Sequence, residues 1–222
     1  MEMERSWSPM TDEEKLQRIY AAASELFIQP GYHETQMQMI AQRAHVAVGT
    51  LYRLFSGKEA LLDYVFLTTL PTTEGTSWST YPLQPVDPRE LVRRTEAAYA
   101  DWNHQLAGQQ TTSFDQLLTA LFTAFKRYGR YFLILEHNPS VNPALTALYR
   151  QQRQEIYQHV GDFLQQHQPE LNDPQRNGVI VVDLVFWWCA HKRYDSFETE
   201  MARNDDEQML IVVREMLRRS YQ

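Results

Sequence analysis

The residues from Thr35 to Lys58, TQMQMIAQRAHVAVGTLYRLFSGK, constrain this chain more than any other stretch. Two apolar rhythms of helical period meet there. Met37, Ile40, Ala41 and Ala44 fall at i, i+3, i+4 and i+7, and Leu51, Leu54 and Phe55 resume the rhythm after a break. The joint between them, Ala44-His45-Val46-Ala47, is too short for the two helices to run antiparallel, so the second must cross the first steeply, as a helix-turn-helix does, with Val46 plugging the elbow. Thr35 followed by Gln38 predicts a capping box at the start of the first of these helices. Between Thr35 and Lys58 the cations Arg43, Arg53 and Lys58 meet no Asp or Glu. The chain as a whole has 21 Lys and Arg against 28 Asp and Glu, a formal net charge of −7. Such a chain has no bulk attraction for nucleic acid, and any affinity of that kind must arise locally in this stretch.

The remaining punctuation is helical throughout. Thr11-Asp12-Glu13-Glu14 predicts a capping box with acids in the first turn, opening a helix whose buried face is Leu16, Ile19, Tyr20, Ala23, Leu26 and Phe27 and which Pro30-Gly31 ends. Ser56-Gly57-Lys58-Glu59 predicts another capping box, before an apolar side of Leu61, Leu62, Val65, Phe66 and Leu70. Residues 71–88, rich in Pro, Thr and Ser with Gly75, Trp78 and Tyr81, read as a linker between a domain at 11–70 and a second at 89–222. Beyond it, helices are predicted from Pro88, capped by Asp87, to about Ala107 before Gly108, and from Ser113 to about Tyr128. Gly129 is expected to break the latter from Tyr131 to His137. Ala144 to Gln168, Pro174 to Tyr194 capped by Asp173, and Asp206 to Tyr221 complete the set. No stretch alternates as a strand, so the fold class is all-α.

Residues within this frame carry a resemblance. Ile40-Ala41, Ala44, Val46, Gly49-Thr50-Leu51-Tyr52-Arg53 to Phe55, Lys58-Glu59 and Leu61 are joined upstream by Ala22-Ala23, Leu26-Phe27, Gly31-Tyr32 and Thr35. Together they resemble the N-terminal domain of the TetR (tetracycline-repressor) family over roughly residues 11 to 70, about a quarter of the chain. The resemblance implies a three-helix DNA-binding domain followed by a larger helical ligand-binding and dimerisation domain. Carried over position by position, it implies that Ala47, Val48, Gly49 and Thr50 face base edges in the major groove and that Gln38 reaches a base from the preceding helix. Tyr52, Arg53 and Lys58 would hold phosphates and fix the register. Three positions depart from the family pattern. His45 stands where the turn usually has Gly, Ala47 where a Ser or similar cap often starts the reading helix, and Leu54 where a phosphate-binding His is common.

The second domain is richer in aromatic residues than a helical bundle of its size needs. Trp102, Phe122, Phe125, Tyr128, Tyr131, Phe132, Trp187 and Trp188 are candidates to line an effector cavity, with His104, His137 or His191 as polar anchors, the alternative being that most of them are core. The last two helices carry apolar residues beyond one face, Val182, Val185, Phe186 and Cys189 on one and Val213, Met216 and Leu217 on the other. The resemblance implies that these two helices pair with their mates in a homodimer, which would set two reading helices ~34–36 Å apart over a palindrome.

Together these readings predict a homodimeric repressor that binds a palindromic operator in double-stranded DNA and is released by a small-molecule effector. A constitutive DNA-binding protein with a filled core and an α-helical enzyme are the alternatives. No Gly-rich phosphate loop or G-x-S-x-G motif is present, so no enzyme and no cofactor is expected. The single cysteine excludes an intrachain disulfide and a multi-cysteine metal site, and Glu155 with His159 reads as an exposed i, i+4 pair. The first ten residues lack the apolar core of a leader, and the apolar run Val179 to Ala190, interrupted by Asp183, is shorter than the ~20 residues a bilayer needs. A cytoplasmic setting without membrane contact is the expectation.

Overall fold

The computed structural model describes residues 10–70, 80–107, 112–194 and 206–221. The N-terminal tail, Gly75 and Trp78 of the expected linker, and Gly108 lie outside the described residues.

The first helix, α1 (Asp12–Leu26), opens with the predicted capping box. The Thr11 hydroxyl accepts from the Glu14 N–H, and the Glu14 carboxylate accepts from the Thr11 N–H at 2.7 Å. A wide π-type turn (Phe27–Gly31), non-helical at Gln29, ends it. α2 (Met37–Ala44) and α3 (Val48–Leu54) follow, and α1 packs on α2 and on α4 (Lys58–Thr69). Ile19, Ala23, Phe27, Ile40, Leu51, Leu54 and Phe55 are buried together as the small core of this unit, with Val46 half-buried against it.

Two expected caps are absent. Thr35 is buried and its hydroxyl donates to the carbonyls of Leu26 and Gly31, fastening the turn after α1, so α2 starts at Gln36 without a side-chain cap. Likewise α4 starts at Gly57 without one.

Of the expected linker, residues 80–87 fold back on the first unit. Leu83 donates to the Leu54 carbonyl at 2.8 Å and accepts from the Ser56 N–H at 2.9 Å, an isolated bridge beside Phe55, and the Val86 N–H donates to Asp63. That bridge is the only extended pairing among the described residues, which are otherwise helical.

The second unit comprises α5 (Pro88–Ala107), α6 (Phe114–His137), α7 (Pro143–His167), α8 (Pro174–Cys189), a 3-10 turn (His191–Tyr194) and α9 (Asp206–Tyr221). Contrary to expectation, α6 runs unbroken through Gly129. That glycine serves packing, because a Cβ there would lie 2.7 Å from the Ala190 Cβ at the end of α8. The same device sets the α7–α8 contact, the most extensive between helices among the described residues. A Cβ on Gly178 would lie 2.7 Å from the Gly161 nitrogen, so the two backbones touch where neither helix carries a side chain.

A polar cluster ties the ends of α6, α7 and α8. Glu136 accepts from Tyr149, Arg153 and His191, and Arg153 reaches across to Asp183 at 2.9 Å. Burial pushes the Glu136 carboxyl up, but the hydrogen bonds from His191 and Tyr149 and the charge of Arg153 outweigh it and hold its pKa below the usual 4.5.

Candidate nucleic-acid interface

The turn between α2 and α3 is made by His45 in the left-handed region (φ 55°, ψ 45°), where Asn, Asp and His are the tolerated non-glycine residues. His45 and Val46 donate their N–H groups to the Gln42 and Ala41 carbonyls, closing the end of α2. α3 then begins at Ala47, whose methyl leaves the first turn without a side-chain cap.

α3 divides cleanly. Leu51 and Leu54 are fully buried, so Leu54 has become core at the position where the family pattern places a phosphate-binding His. On the opposite side Ala47, Val48 and Gly49 are exposed, Thr50 is half-buried, and Tyr52 keeps 55% of its surface in solvent. A Cβ on Gly49 would meet nothing within 4 Å, so the protein's own packing makes no use of the missing side chain. Gln38 is exposed on α2.

The three cations of the Thr35–Lys58 stretch are differently placed from what their sequence neighbourhood suggested. α1 lies alongside α2 and α3 and brings acids to them. Arg53 forms a two-pronged pair with Asp12, its two terminal nitrogens donating at 2.5 and 3.1 Å, and Arg43 donates to Glu25 at 2.6 Å. Hydrogen bonds from Arg53 and then Lys15 hold the Asp12 carboxyl below its usual range. These pairs are exposed, where solvent screens the attraction, so a phosphate can displace the carboxylates at little cost.

Lys58 departs furthest from a phosphate-holding role. Its ammonium donates to the carbonyls of Tyr32 at 2.8 Å and Thr35 at 2.9 Å, reaches that of His33 at 3.4 Å, and stands 4.4 Å above the Tyr32 ring. All three of its donors are used inside the unit, because the turn after α1 leaves these carbonyls without helical partners.

In the second unit Trp102, Phe125, Tyr128 and Phe132 are buried in mutual ring contact, the Trp102 ring lying 5.6 Å from Phe125, 5.9 Å from Tyr128 and 6.0 Å from Phe132, whereas the buried Phe122 lies under Arg214. Among the described residues the Trp102 indole N–H is buried without a hydrogen-bond partner. Trp188 is half-buried near the end of α8 under Lys192, and His104 is exposed on α5, outside the aromatic cluster, which corrects its reading as an anchor within that cluster. Glu155 pairs with Asn103 and Gln151 by hydrogen bonds to its carboxylate. Among the described residues no group of three or more His, Cys, Asp or Glu is placed to hold a metal ion, and no helix is long and apolar enough to cross a membrane.

The dimer residues read from sequence need correction. Val182, Val185, Phe186, Cys189, Val213 and Leu217 are buried within the protomer, where α8 packs against α6, α7 and α9, and only Met216 of that set is exposed. The outward apolar residues are instead Ile180 and Trp187 on α8, with Leu184 half-buried between them, and Met209, Val212 and Met216 on α9 at i, i+3 and i+7. Sequence periodicity finds both faces of such helices but does not say which one the protomer covers itself.

Comparison with known proteins places the first unit. Residues 19–65 match the family described as bacterial regulatory proteins, tetR family. Over 59 residues, 27% of this chain and 30% of the relative, it is 44% identical to the uncharacterized HTH-type transcriptional regulator YhgD of Bacillus subtilis (strain 168). Over 55 residues, 25% of this chain and 26% of the relative, it is 46% identical to the HTH-type transcriptional repressor KstR of Rhodococcus jostii (strain RHA1). The matched segment thus spans less than a third of these curated relatives. Among solved structures, a TetR-like transcriptional regulator from Rhodococcus sp. RHA1 aligns with 93% of this chain and 96% of its own at 14% identity, with a TM-score of 0.46. By its sequence match over residues 19–65 and its helix-turn-helix, the N-terminal unit of this chain is similar to the bacterial regulatory proteins of the tetR family.

Proposed function

We propose that this protein is a transcriptional regulator that binds a palindromic operator as a homodimer and represses until a small molecule releases it. The observation that carries the DNA-binding reading is the outward side of α3. Val48, Gly49 and Tyr52 are exposed there, and among the described residues nothing lies within 4 Å of where a Cβ on Gly49 would stand. On this reading Ala47, Val48, Gly49 and Thr50 meet base edges, Gln38 adds a contact from α2, and Tyr52 with Arg53 holds phosphates once Asp12 is displaced. Lys58 acts from inside, holding the turn on which α2 and α4 are mounted.

The homodimer reading rests on the paired stripes of Ile180, Leu184 and Trp187 on α8 and Met209, Val212 and Met216 on α9, an apolar surface that a second copy would cover. The effector reading rests on the buried aromatic cluster around Trp102, whose unpartnered indole N–H can donate to a ligand acceptor. Effector binding there would release DNA only through different affinities for the bound and free conformations.

The test is selection from a randomised duplex library by the purified protein at a fixed, near-physiological salt concentration. Enrichment of a palindrome whose half-sites lie about one helical turn apart is expected. Weak, salt-sensitive binding without enrichment would refute the operator reading. With an operator in hand, a compound screen for release separates an effector-controlled protein from a constitutive one.

A further inference from the structure

Among the described residues the three-helix unit and the second unit meet through contacts that differ in what they can specify. One is apolar: the Phe66 ring of α4 packs edge-on against Tyr131 of α6 at 4.9 Å. Apolar burial is non-directional and tolerates sliding. Arg130 of α6 stands 5.9 Å from the Tyr20 ring of α1, and one further side chain makes the hydrogen-bonded contact. Asn138, only 5% exposed, ends α6, and its amide donates to the Phe27 carbonyl at 2.7 Å and the Ile134 carbonyl at 2.8 Å. Its own carbonyl accepts from the Tyr32 N–H at 2.7 Å. Gly31, with φ +120°, comes so close that a Cβ there would lie 3.3 Å from the Asn138 Oδ1.

We propose that Asn138 is the positioning residue that sets the angle between the α2–α3 reading head and the second unit, and thereby the half-site separation at which a dimer can engage both heads. The proposal rests on the operator reading above and adds its control. Asn138 bonds the turn after α1 on both sides of its bend, at Phe27 and at Tyr32, while its other amide hydrogen locks it to α6. Only a primary amide supplies the two donors and the acceptor at once; a carboxylate would face two carbonyls with no hydrogen to offer. From that turn the constraint continues to the DNA side. Thr35 and Lys58 bind its carbonyls, and they stand at the starts of α2 and α4. Hydrogen bonds are directional where the Phe66–Tyr131 contact is not, so head orientation is decided at Asn138. A shift of the α6 end on ligand binding would reach the head through the same bonds.

The test uses the full-length protein and its selected operator, with half-site spacing varied one base pair at a time and a single half-site as control. Asn138→Ala is expected to lose at least tenfold in affinity at the preferred spacing, to bind the single half-site within twofold of the unsubstituted protein, and to show a flattened spacing preference. Asn138→Asp, nearly the same size, is expected to do the same or worse. Equal losses on single and paired half-sites, or an unchanged spacing preference, would overturn the proposal and leave Asn138 a merely structural residue. A DNA-free measurement keeps the proposal separable from the operator reading. Spin labels at Gln42→Cys in the head and Lys126→Cys on α6, in a Cys189→Ala background, are expected to give a distance distribution that broadens or shifts with Asn138→Ala. An unchanged distribution overturns the positioning role even if an operator is found. A changed distribution with no operator enrichment overturns the DNA reading, and with it the half-site control, while the joint at Asn138 stands.

Discussion

Replacing Lys58 with Met separates two roles that the same residue could have in a protein of this kind. The substitution keeps most of the apolar stem and removes the ammonium, which makes hydrogen bonds of 2.8 and 2.9 Å to the Tyr32 and Thr35 carbonyls, a longer one of 3.4 Å to His33, and a contact 4.4 Å above the Tyr32 ring. Hydrogen bonds to charged groups contribute ~1.5–3 kcal/mol each when buried, and the half-buried setting here reduces that. The cation–π contact adds ~0.5–1 kcal/mol. A loss of about 2–3 kcal/mol is expected, which for a chain of this length is a fall in Tm of about 4–12 °C at ~2–4 °C per kcal/mol. The assay pairs thermal unfolding with the salt dependence of DNA affinity below the lowered Tm. A lysine that binds a phosphate contributes about 0.9 to the slope of log affinity against log salt, whereas a lysine turned inward contributes nothing. An unchanged Tm with a slope smaller by about one unit would refute the inward reading and restore Lys58 as a phosphate contact.

Four further outcomes are expected. Tyr52→Ala should weaken binding to all duplexes about uniformly, whereas Thr50→Ala should change which sequences are preferred; competition binding on a panel of duplexes checks this, and equal effects on every sequence would contradict the assignment. Met216→Glu should give a folded monomer by light scattering, because that side chain is 47% exposed, whereas Val213→Glu buries a charge in the protomer core and should abolish folding. Gly178→Ala should cost about 1–3 kcal/mol in urea denaturation by forcing α7 and α8 apart at Gly161, and an unchanged midpoint would show that the contact yields freely. The folded pKa of Glu136 is depressed, so its contribution to stability is present above about pH 4.5 and is lost as the pH falls through the lower folded value. The stability gap between the parent chain and Glu136→Gln should therefore be wide at pH 7 and close on acidification below 4.5, as read from urea midpoints.

The sequence by itself determined the helical class, the helix-turn-helix and most helix starts, because these depend on local chemistry. Apolar spacing names the buried Ile40, Leu51 and Leu54, and Thr11, Asp87 and Asp173 bond the first N–H groups of their helices within a few residues of themselves. Only the tertiary structure decided what depends on residues distant in the chain. Arg53 and Arg43 stand in an acid-free stretch, yet α1 brings Asp12 and Glu25 against them. Thr35 looked like a cap and became a fastener of the preceding turn, its hydroxyl donating to the carbonyls of Leu26 and Gly31. Gly129 looked like a helix break and proved to be clearance for Ala190, and the α8 and α9 residues that looked available to a partner, Met216 excepted, are buried within the protomer, where α8 packs on α6, α7 and α9. Asn138 carried no signal at all beyond a turn before Pro139, since its partners lie 106 and 111 residues away. Periodicity and capping are read within a few residues, whereas pairing, clearance and the choice of which face to bury are fixed only when distant helices meet.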